Sequence, residues 1–202
     1  MNFSEQLRKD FGTITLALIP VAIVVNLVVG QIVSALNLPL FLDSIGTVLV
    51  GILAGPWAGL VTGLLTNLIW GLISSPVAAA FAPVAGVIGL VAGVCARYGL
   101  FRNWWKAAIS GVLIGVAASF TAVPIRVFMF GGITGSGADF ITAYLLATGS
   151  SLFGSVIITV LSTNVPDKVV TALVAWAIAR ALPQRFLARF PRAEAVTPSS
   201  QG

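Results

Sequence analysis

The stretch that decides the fold is LPLFLDSIGTVLVGILAGPWAGLVTGLLTNLIWGLI, residues 38–73, in which Asp43 is the one charged residue. As a single helix it would be about 50 Å long, well beyond the ~30 Å hydrocarbon core of a bilayer. Pro56 lacks an amide hydrogen and follows Gly55, so a helix is expected to break there. The sequence therefore predicts a transmembrane hairpin of two short helices joined by a tight turn.

Small residues recur at four-residue spacing in this hairpin, at Gly51, Gly55, Gly59 and Gly63. Helices in lipid gain little from hydrophobic burial, so they pack through close backbone approach, which glycines at this spacing permit. The hairpin is therefore expected inside the bundle. Polar groups near its ends cost free energy unless they are paired or face water. This makes them candidates for ligand contact: Asp43, Asn67 and Trp70.

The composition places the chain in a membrane. Hydrophobic residues make up 58% of it and charged residues 8%, whereas about a quarter of an ordinary soluble protein is charged. At ~20 residues per span, we predict an all-α integral membrane protein, a compact bundle of about six transmembrane helices. Residues 1–185 would form this single domain, and residues 186–202 a flexible basic tail in the cytoplasm.

Basic residues cluster at a few predicted helix ends rather than along one face. This pattern favours membrane orientation and anionic-lipid contact over nucleic-acid binding. Arg8 and Lys9 precede the first predicted span, residues 13–36, and Arg102 and Lys106 separate the spans at 83–100 and 107–130. The positive-inside rule then places both termini in the cytoplasm of a cell that carries the protein in its inner (plasma) membrane.

Residues 140–182 admit two interpretations, because they contain two apolar stretches that could each span the membrane. Two crossings here would carry the basic tail outside, against the positive-inside rule. We therefore predict one crossing, residues 166–182, with residues 140–164 forming external loop and helix structure. Seven crossings in total is the alternative.

Charged residues in the middle of the chain fall at predicted external helix ends, where such groups usually face partners, water or a substrate. Arg126 is the leading candidate because a guanidinium gives two parallel donors to a carboxylate or phosphate. An internal pair with one of the aspartates is its alternative, and Asp167-Lys168 could be purely local. The predicted substrate-binding residues are Asp43, Asn67, Trp70, Arg126, Tyr144, Asn164, Asp167 and Lys168.

Two blocks of sequence resemble S components, the substrate-binding membrane subunits of energy-coupling factor (ECF) vitamin transporters. Asn37-Leu-Pro-Leu-Phe-Leu-Asp43, Gly55-Pro-Trp-Ala-Gly59 and the run from Gly63 to Asn67 resemble the second and third helices of those proteins. The second block, Asp167-Lys168 followed by an apolar run to Ala181-Leu-Pro183, resembles their last helix. The resemblance implies a pocket near the external face, beneath the loops that follow the first, third and fifth helices.

The resemblance also implies partners, namely a coupling membrane subunit and two ATPase subunits. In S components, small residues in an Ala-x-x-x-Ala pattern on the first helix dock on the coupling subunit. This chain carries a stripe of different residues at the same four-residue spacing, and it would be the docking surface: Ala22, Asn26, Gly30 and Ser34. Packing within the bundle is the alternative.

The sequence offers little for catalysis, since it has no histidine, one cysteine and no Gly-x4-Gly-Lys phosphate loop. We expect no catalytic residue, metal or cofactor. The predicted function is capture of a small water-soluble nutrient, a vitamin or precursor, at the extracellular side for ATP-driven uptake by partner subunits. The alternatives are a membrane ligand sensor or assembly protein, and a solitary carrier without an ATPase.

Overall fold

The computed structural model describes residues 3–196, which contain helices and no strand. The prediction of an all-helical chain is confirmed for these residues. A short 3-10 helix at Ala193–Ala195 follows ten α-helices: α1 Phe3–Asp10, α2 Thr13–Ala35, α3 Ile45–Leu53, α4 Pro56–Ile73, α5 Pro76–Ala80, α6 Ala82–Arg97, α7 Trp104–Phe130, α8 Asp139–Ala147, α9 Leu152–Ala181 and α10 Gln184–Leu187. Among the described residues, α2, α4, α7 and α9 are long and apolar enough to cross a membrane.

Six helices, α2, α3, α4, α6, α7 and α9, run in alternating directions and each packs against the next in this series, so the bundle has two ends. The first, called the loop end here, carries the connections 36–44, 74–81 and 131–151. The second, called the terminal end, carries α1, the turn at residues 54–55, the connection 98–103 and the C-terminal residues 182–196.

The hairpin turn lies where the sequence places it, with α3 ending at Leu53 and α4 beginning at Pro56. Gly55 between them has φ +126°, which residues with a side chain rarely adopt. The first arm is shorter than predicted, because α3 has nine residues and residues 36–44 before it are not helical. The backbone amides of Phe41 and Leu42 in this segment donate to the Asp167 carboxylate instead.

Glycines bring two helix pairs into backbone contact. A Cβ on Gly59 of α4 would lie 2.5 Å from the carbonyl oxygen of Gly89 on α6. A Cβ on Gly111 of α7 would lie 2.5 Å from the Cα of Val169 on α9. The first arm of the hairpin lies inside the bundle as expected, since every residue of α3 except Leu49 is buried, whereas α4 exposes Leu65, Leu68 and Leu72.

The prediction that the last span begins at residue 166 is wrong. Helix α9 is continuous over 30 residues and contains Pro166 in its interior, and only the nine-residue α8 precedes it in this region. Packing explains the continuity, because α7 contacts α9 closely through Gly111 and Gly115 on both sides of the proline. Neighbouring helices of this kind make an interior proline tolerable in a membrane helix. Residues 140–182 therefore contain one helix that is long and apolar enough to cross a membrane, α9, rather than two.

The stripe predicted to dock a partner subunit lies within the bundle instead. Ala22 and Asn26 are buried, and the Asn26 side chain bonds Thr47 Oγ1 at 2.8 Å, Thr66 Oγ1 at 3.1 Å and the Gly46 amide at 2.7 Å. A Cβ on Gly30 would meet the Trp70 ring at 2.6 Å. Only Ser34 of the stripe is exposed. The polar side chain of Asn26 drives this inward orientation, since lipid could not satisfy it.

The C-terminal segment was expected to be a flexible tail, but its described part packs on the bundle. Leu187, Phe190 and Val196 are buried in the main hydrophobic core, and the Arg192 amide donates to the Leu53 carbonyl at 3.2 Å. Burial of these apolar side chains holds residues 186–196 in place. The remainder of the predicted tail, residues 197–202, lies outside the described residues.

Asp10 joins that segment to the rest of the terminal end. Its fully buried carboxylate accepts hydrogen bonds from Arg192 at 3.2 Å and from the Trp57 amide at 3.2 Å, and lies 3.7 Å from an Arg97 nitrogen. One side chain thereby links α1, the hairpin turn, the end of α6 and the C-terminal segment. The cavity between Arg97 and Arg192 has a volume of only about 70 Å³.

Candidate functional site

A cavity of about 570 Å³ opens at the loop end, between α2, α4, α6, α7 and α9. Its volume falls within the ~300–1,000 Å³ typical of small-molecule pockets. All three loop-end connections contribute to its lining, through residues such as Phe41, Phe81 and Ser136. Its lining combines apolar side chains such as Val84 and Ile88 with polar ones such as Asn164 and Lys168. The cavity thus lies beneath the connections that follow α2, α4 and α7.

Lys168 is one of two buried cations, with Arg126, among the described residues that line the cavity. Its ammonium pairs with its neighbour Asp167, donates to Ser44 Oγ at 2.8 Å, and lies 3.5 Å from a carboxylate oxygen of Asp43. Burying an ammonium is costly unless such partners satisfy it. The helix α9 supplies Lys168 and Asp167 at adjacent positions, and the segment before α3 supplies the other two.

Asp167 also fixes the non-helical segment 36–44. Its Oδ1 accepts the backbone amides of Phe41 and Leu42, each at 2.9 Å. Leu42 has φ +49°, a left-handed conformation that is strained for a branched residue. The Asp167 carboxylate thus accepts hydrogen bonds from two amides that lie outside any helix. By holding this segment in place, it shapes one wall of the cavity.

Arg126 is paired within the chain, as the alternative interpretation proposed. Its guanidinium pairs with Asp139 and donates from Nε to the Gly132 carbonyl at 3.0 Å. Asp139 in turn accepts the backbone amides of Thr134 at 2.9 Å and Gly135 at 2.6 Å. The pair therefore ties the connection after α7 to the helix itself.

The first and third loop-end connections touch each other above the cavity. A Cβ on Gly137 would lie 2.5 Å from the Asn37 carbonyl oxygen and 2.6 Å from that of Leu38. Such close backbone approach needs a glycine. The segments held by Asp167 and by Asp139 thus meet at one place, and both border the cavity.

Amide and aromatic groups complete the lining. Asn67 is buried and faces the cavity without a side-chain hydrogen bond to any described residue. The Asn164 amide nitrogen lies 3.4 Å from Ser119 Oγ, which leaves its oxygen for another donor. Trp70 presents its ring to the cavity, and Phe81 stacks on Phe130 with centroids 5.8 Å apart. These groups can hold a flat molecule by stacking and hydrogen bonding.

The structure brings most of the predicted site residues to the cavity wall: Asp43, Asn67, Trp70, Arg126, Asn164 and Lys168. Asp167 lies behind that wall, fully buried, where it positions Lys168. Tyr144 does not line the cavity, because it lies on the outer face of α8 with 69% of its surface exposed.

The sequence did not identify Phe41 and Phe81, which line the cavity, or Ser44, which accepts a hydrogen bond from Lys168. Ser44 follows Asp43 directly, and that adjacency was the available signal. The two phenylalanines carry no such signal, since an apolar ring in an apolar chain is equally suited to packing or to lipid.

Comparison with known families gives one match. The model of the ECF transporter substrate-specific component family matches residues 13–179, which include nearly all of α2 to α9 and every part of the cavity wall. No curated protein and no solved structure matches the chain. Proteins of this family are substrate-binding subunits rather than enzymes, and they associate with the other components of ECF transporters. This membrane protein therefore belongs to the ECF transporter substrate-specific component family.

Proposed function

We propose that the chain captures a small, water-soluble nutrient, a vitamin or vitamin precursor, for import. The observation that supports this most directly is the cavity of about 570 Å³ beneath three connections at the loop end. Its largely apolar lining with a few polar groups is the combination that small-molecule sites use.

The proposed binding residues act in two ways. Asn67 and Asn164 offer amide groups to the polar edge of a ligand, and Trp70 offers a ring face. Asp43, Arg126 and Lys168 add charge at the wall, where Asp167 acts as a positioning residue for Lys168. Tyr144 lies outside this set and is not proposed as a contact.

The loop end faces the extracellular side in this proposal. Arg97, Arg102 and Arg180 lie at or near helix ends on the terminal side, and cytoplasmic segments favour such residues. Capture would then occur outside the cell, with both termini in the cytoplasm. Because the sequence has no nucleotide-binding loop, a coupling membrane subunit and two ATPase subunits would supply the energy for release.

Native mass spectrometry tests capture directly. Wild-type protein would be dialysed against a water-soluble metabolite extract, and retained compounds identified by mass. We expect retention of a vitamin-sized compound, its loss in Trp70→Ala, and no loss in Trp105→Ala, which removes an exposed tryptophan at the terminal end. Retention of nothing, or equal retention by both variants, would contradict the proposed function.

The orientation needs its own experiment. Ser150→Cys places a thiol at the loop end and Asn103→Cys at the terminal end, both at exposed positions, while the native Cys95 is buried. In right-side-out vesicles, a membrane-impermeant maleimide should label only the Ser150→Cys protein. Labelling of only the Asn103→Cys protein would reverse the proposed orientation.

A further inference from the structure

The charges around the cavity do not balance. Among residues 3–196, the charged groups that line it or pair with its lining are two cations, Arg126 and Lys168, and three carboxylates, Asp43, Asp139 and Asp167. The protein thus surrounds the cavity with one negative charge more than it has positive charges.

Two of the three carboxylates are fully used within the chain. Asp139 pairs with Arg126 and accepts backbone amides from its own loop. Asp167 pairs with Lys168 and accepts the amides of Phe41 and Leu42. Each therefore has its cation and its additional donors, and neither needs a ligand.

Asp43 is the carboxylate that remains. It lines the cavity with 24% of its side chain exposed, and its one ion-pair contact within the described residues is Lys168 Nζ at 3.5 Å. That ammonium already has a closer carboxylate in Asp167 and a hydroxyl in Ser44. Asp43 thus keeps acceptor capacity that faces the cavity.

An aromatic ring lies beside this carboxylate. A Cβ placed on Gly30 would be 2.6 Å from the Trp70 ring and 3.0 Å from the Asp43 Cβ, so both side chains pack on the same glycine. Phe41 and Phe81 also line the cavity. A carboxylate next to an indole face is suited to a cation, because the ring quadrupole and the carboxylate attract it together.

We infer that the captured molecule carries a positively charged group, which binds between Asp43 and Trp70. This inference rests on the proposed function and narrows its ligand to cationic, ring-containing compounds. It differs from what the sequence suggested, since Arg126 and Lys168 alone favoured an anionic group. Both cations are paired with aspartates of the chain, so they no longer favour an anionic ligand. The remaining acceptor capacity of Asp43 favours a cationic one instead.

A series of probes with one shape and three charges tests the inference. Benzamidine is a cation, benzamide is neutral and benzoate is an anion. All three have a phenyl ring and a planar head group of three heavy atoms, so they differ mainly in charge. Isothermal titration of purified wild-type protein should show benzamidine binding about tenfold or more tightly than benzamide, with benzoate weakest. Asp43→Asn should reduce the benzamidine preference to about twofold or less.

Glu194→Gln is the matched control, because it removes an exposed carboxylate at the terminal end and should leave the preference unchanged. Tighter binding of benzamide or benzoate, an unchanged preference in Asp43→Asn, or no benzamidine binding at millimolar concentration would overturn the inference. Retention of neutral or anionic metabolites by the wild type would overturn it too, yet would leave the proposed function standing. Failure of both experiments would remove both.

Discussion

At the terminal end one carboxylate serves two arginines, whereas at the loop end three carboxylates surround two cations. Asp10 is fully buried between Arg97 and Arg192, and the cavity beside them holds only about 70 Å³. At the loop end the ion pairs border a cavity of about 570 Å³. The same kind of interaction therefore closes the protein at one end and leaves an open space at the other.

The difference shows what each set of charges does. Asp10 links segments that are far apart in sequence, because it accepts hydrogen bonds from the Trp57 amide and from Arg192. Asp167 and Asp139 likewise fix loop-end connections, but they do so beside the cavity and leave Asp43 able to accept further hydrogen bonds. The internal ion pairs thus position the wall of the cavity, and the remaining carboxylate, Asp43, determines which ligand charge the cavity favours.

The largest effect on stability is expected from Asp167→Asn. Lys168 is only 2% exposed, so the substitution leaves a buried ammonium with Ser44 and the more distant Asp43. Removing one partner of a buried ion pair costs about 3–5 kcal/mol, and we expect the lower part of that range because Asp43 can approach. Thermal unfolding in detergent would measure the loss.

A double variant shows whether charge is the cause. Asp167→Asn combined with Lys168→Met removes the stranded ammonium and should recover much of the lost stability. A single variant as stable as the wild type, or a double variant no more stable than the single, would contradict the structural role given to Asp167.

Asp10→Asn tests the other end and should cost less, about 2 kcal/mol. Its arginine partners reach water, with 26% of the Arg97 side chain and 12% of the Arg192 side chain exposed, so solvent can replace part of the lost interaction. Faster tryptic cleavage of residues 182–196 should accompany the lower unfolding temperature. Glu194→Gln, at an exposed position in the same segment, should change neither. A larger loss for Asp10→Asn than for Asp167→Asn would reverse the comparison of the two ends.

Local sequence signals predicted the parts of the fold that local chemistry decides. Hydropathy marked the long helices, and Gly55-Pro56 marked the turn because glycine and proline act on their own backbone. The length of α3 could not be read in this way, since Asp167 accepts the Phe41 amide across 126 positions. The prediction that a helix begins at Pro166 is wrong for the same reason, because contact with α7 keeps α9 continuous through the proline.

The candidate site follows the same division. A charged or amide group in an apolar chain has few stable locations, so residue type alone led to Asn67, Lys168 and the other charged residues that line the cavity. Pairing depends on distances between helices, which the sequence does not contain. The Arg126 guanidinium was therefore assigned to a ligand although it pairs with Asp139, and Asn26 was assigned to a partner subunit although α3 and α4 satisfy it.

Arg126→Ala should have a smaller effect on stability than either aspartate change, about 1–2 kcal/mol. Asp139 loses its cation but keeps three backbone amides, and 15% of its side chain reaches water. The connection 131–138 should loosen while remaining locally folded. Hydrogen–deuterium exchange should therefore increase in that segment and stay unchanged in residues 74–81, the connection that Arg126 does not hold. Equal protection of residues 131–138 in the wild type and in Arg126→Ala would contradict the proposal that Arg126 holds this connection.

Asp43→Asn should have the smallest effect on stability, about 0–1 kcal/mol, although it is expected to change ligand charge preference the most. Its contact with Lys168 is long and partly exposed, and such pairs contribute little. Asp43 and Asp167 both contact the Lys168 ammonium. The same substitution at each position therefore compares a carboxylate that faces the cavity with one whose hydrogen bonds are all made within the protein. If Asp43→Asn lowers stability as much as Asp167→Asn does, both carboxylates are structural. The loop end would then have no carboxylate available to a ligand. Its charges, like those of the terminal end, would only stabilise the fold.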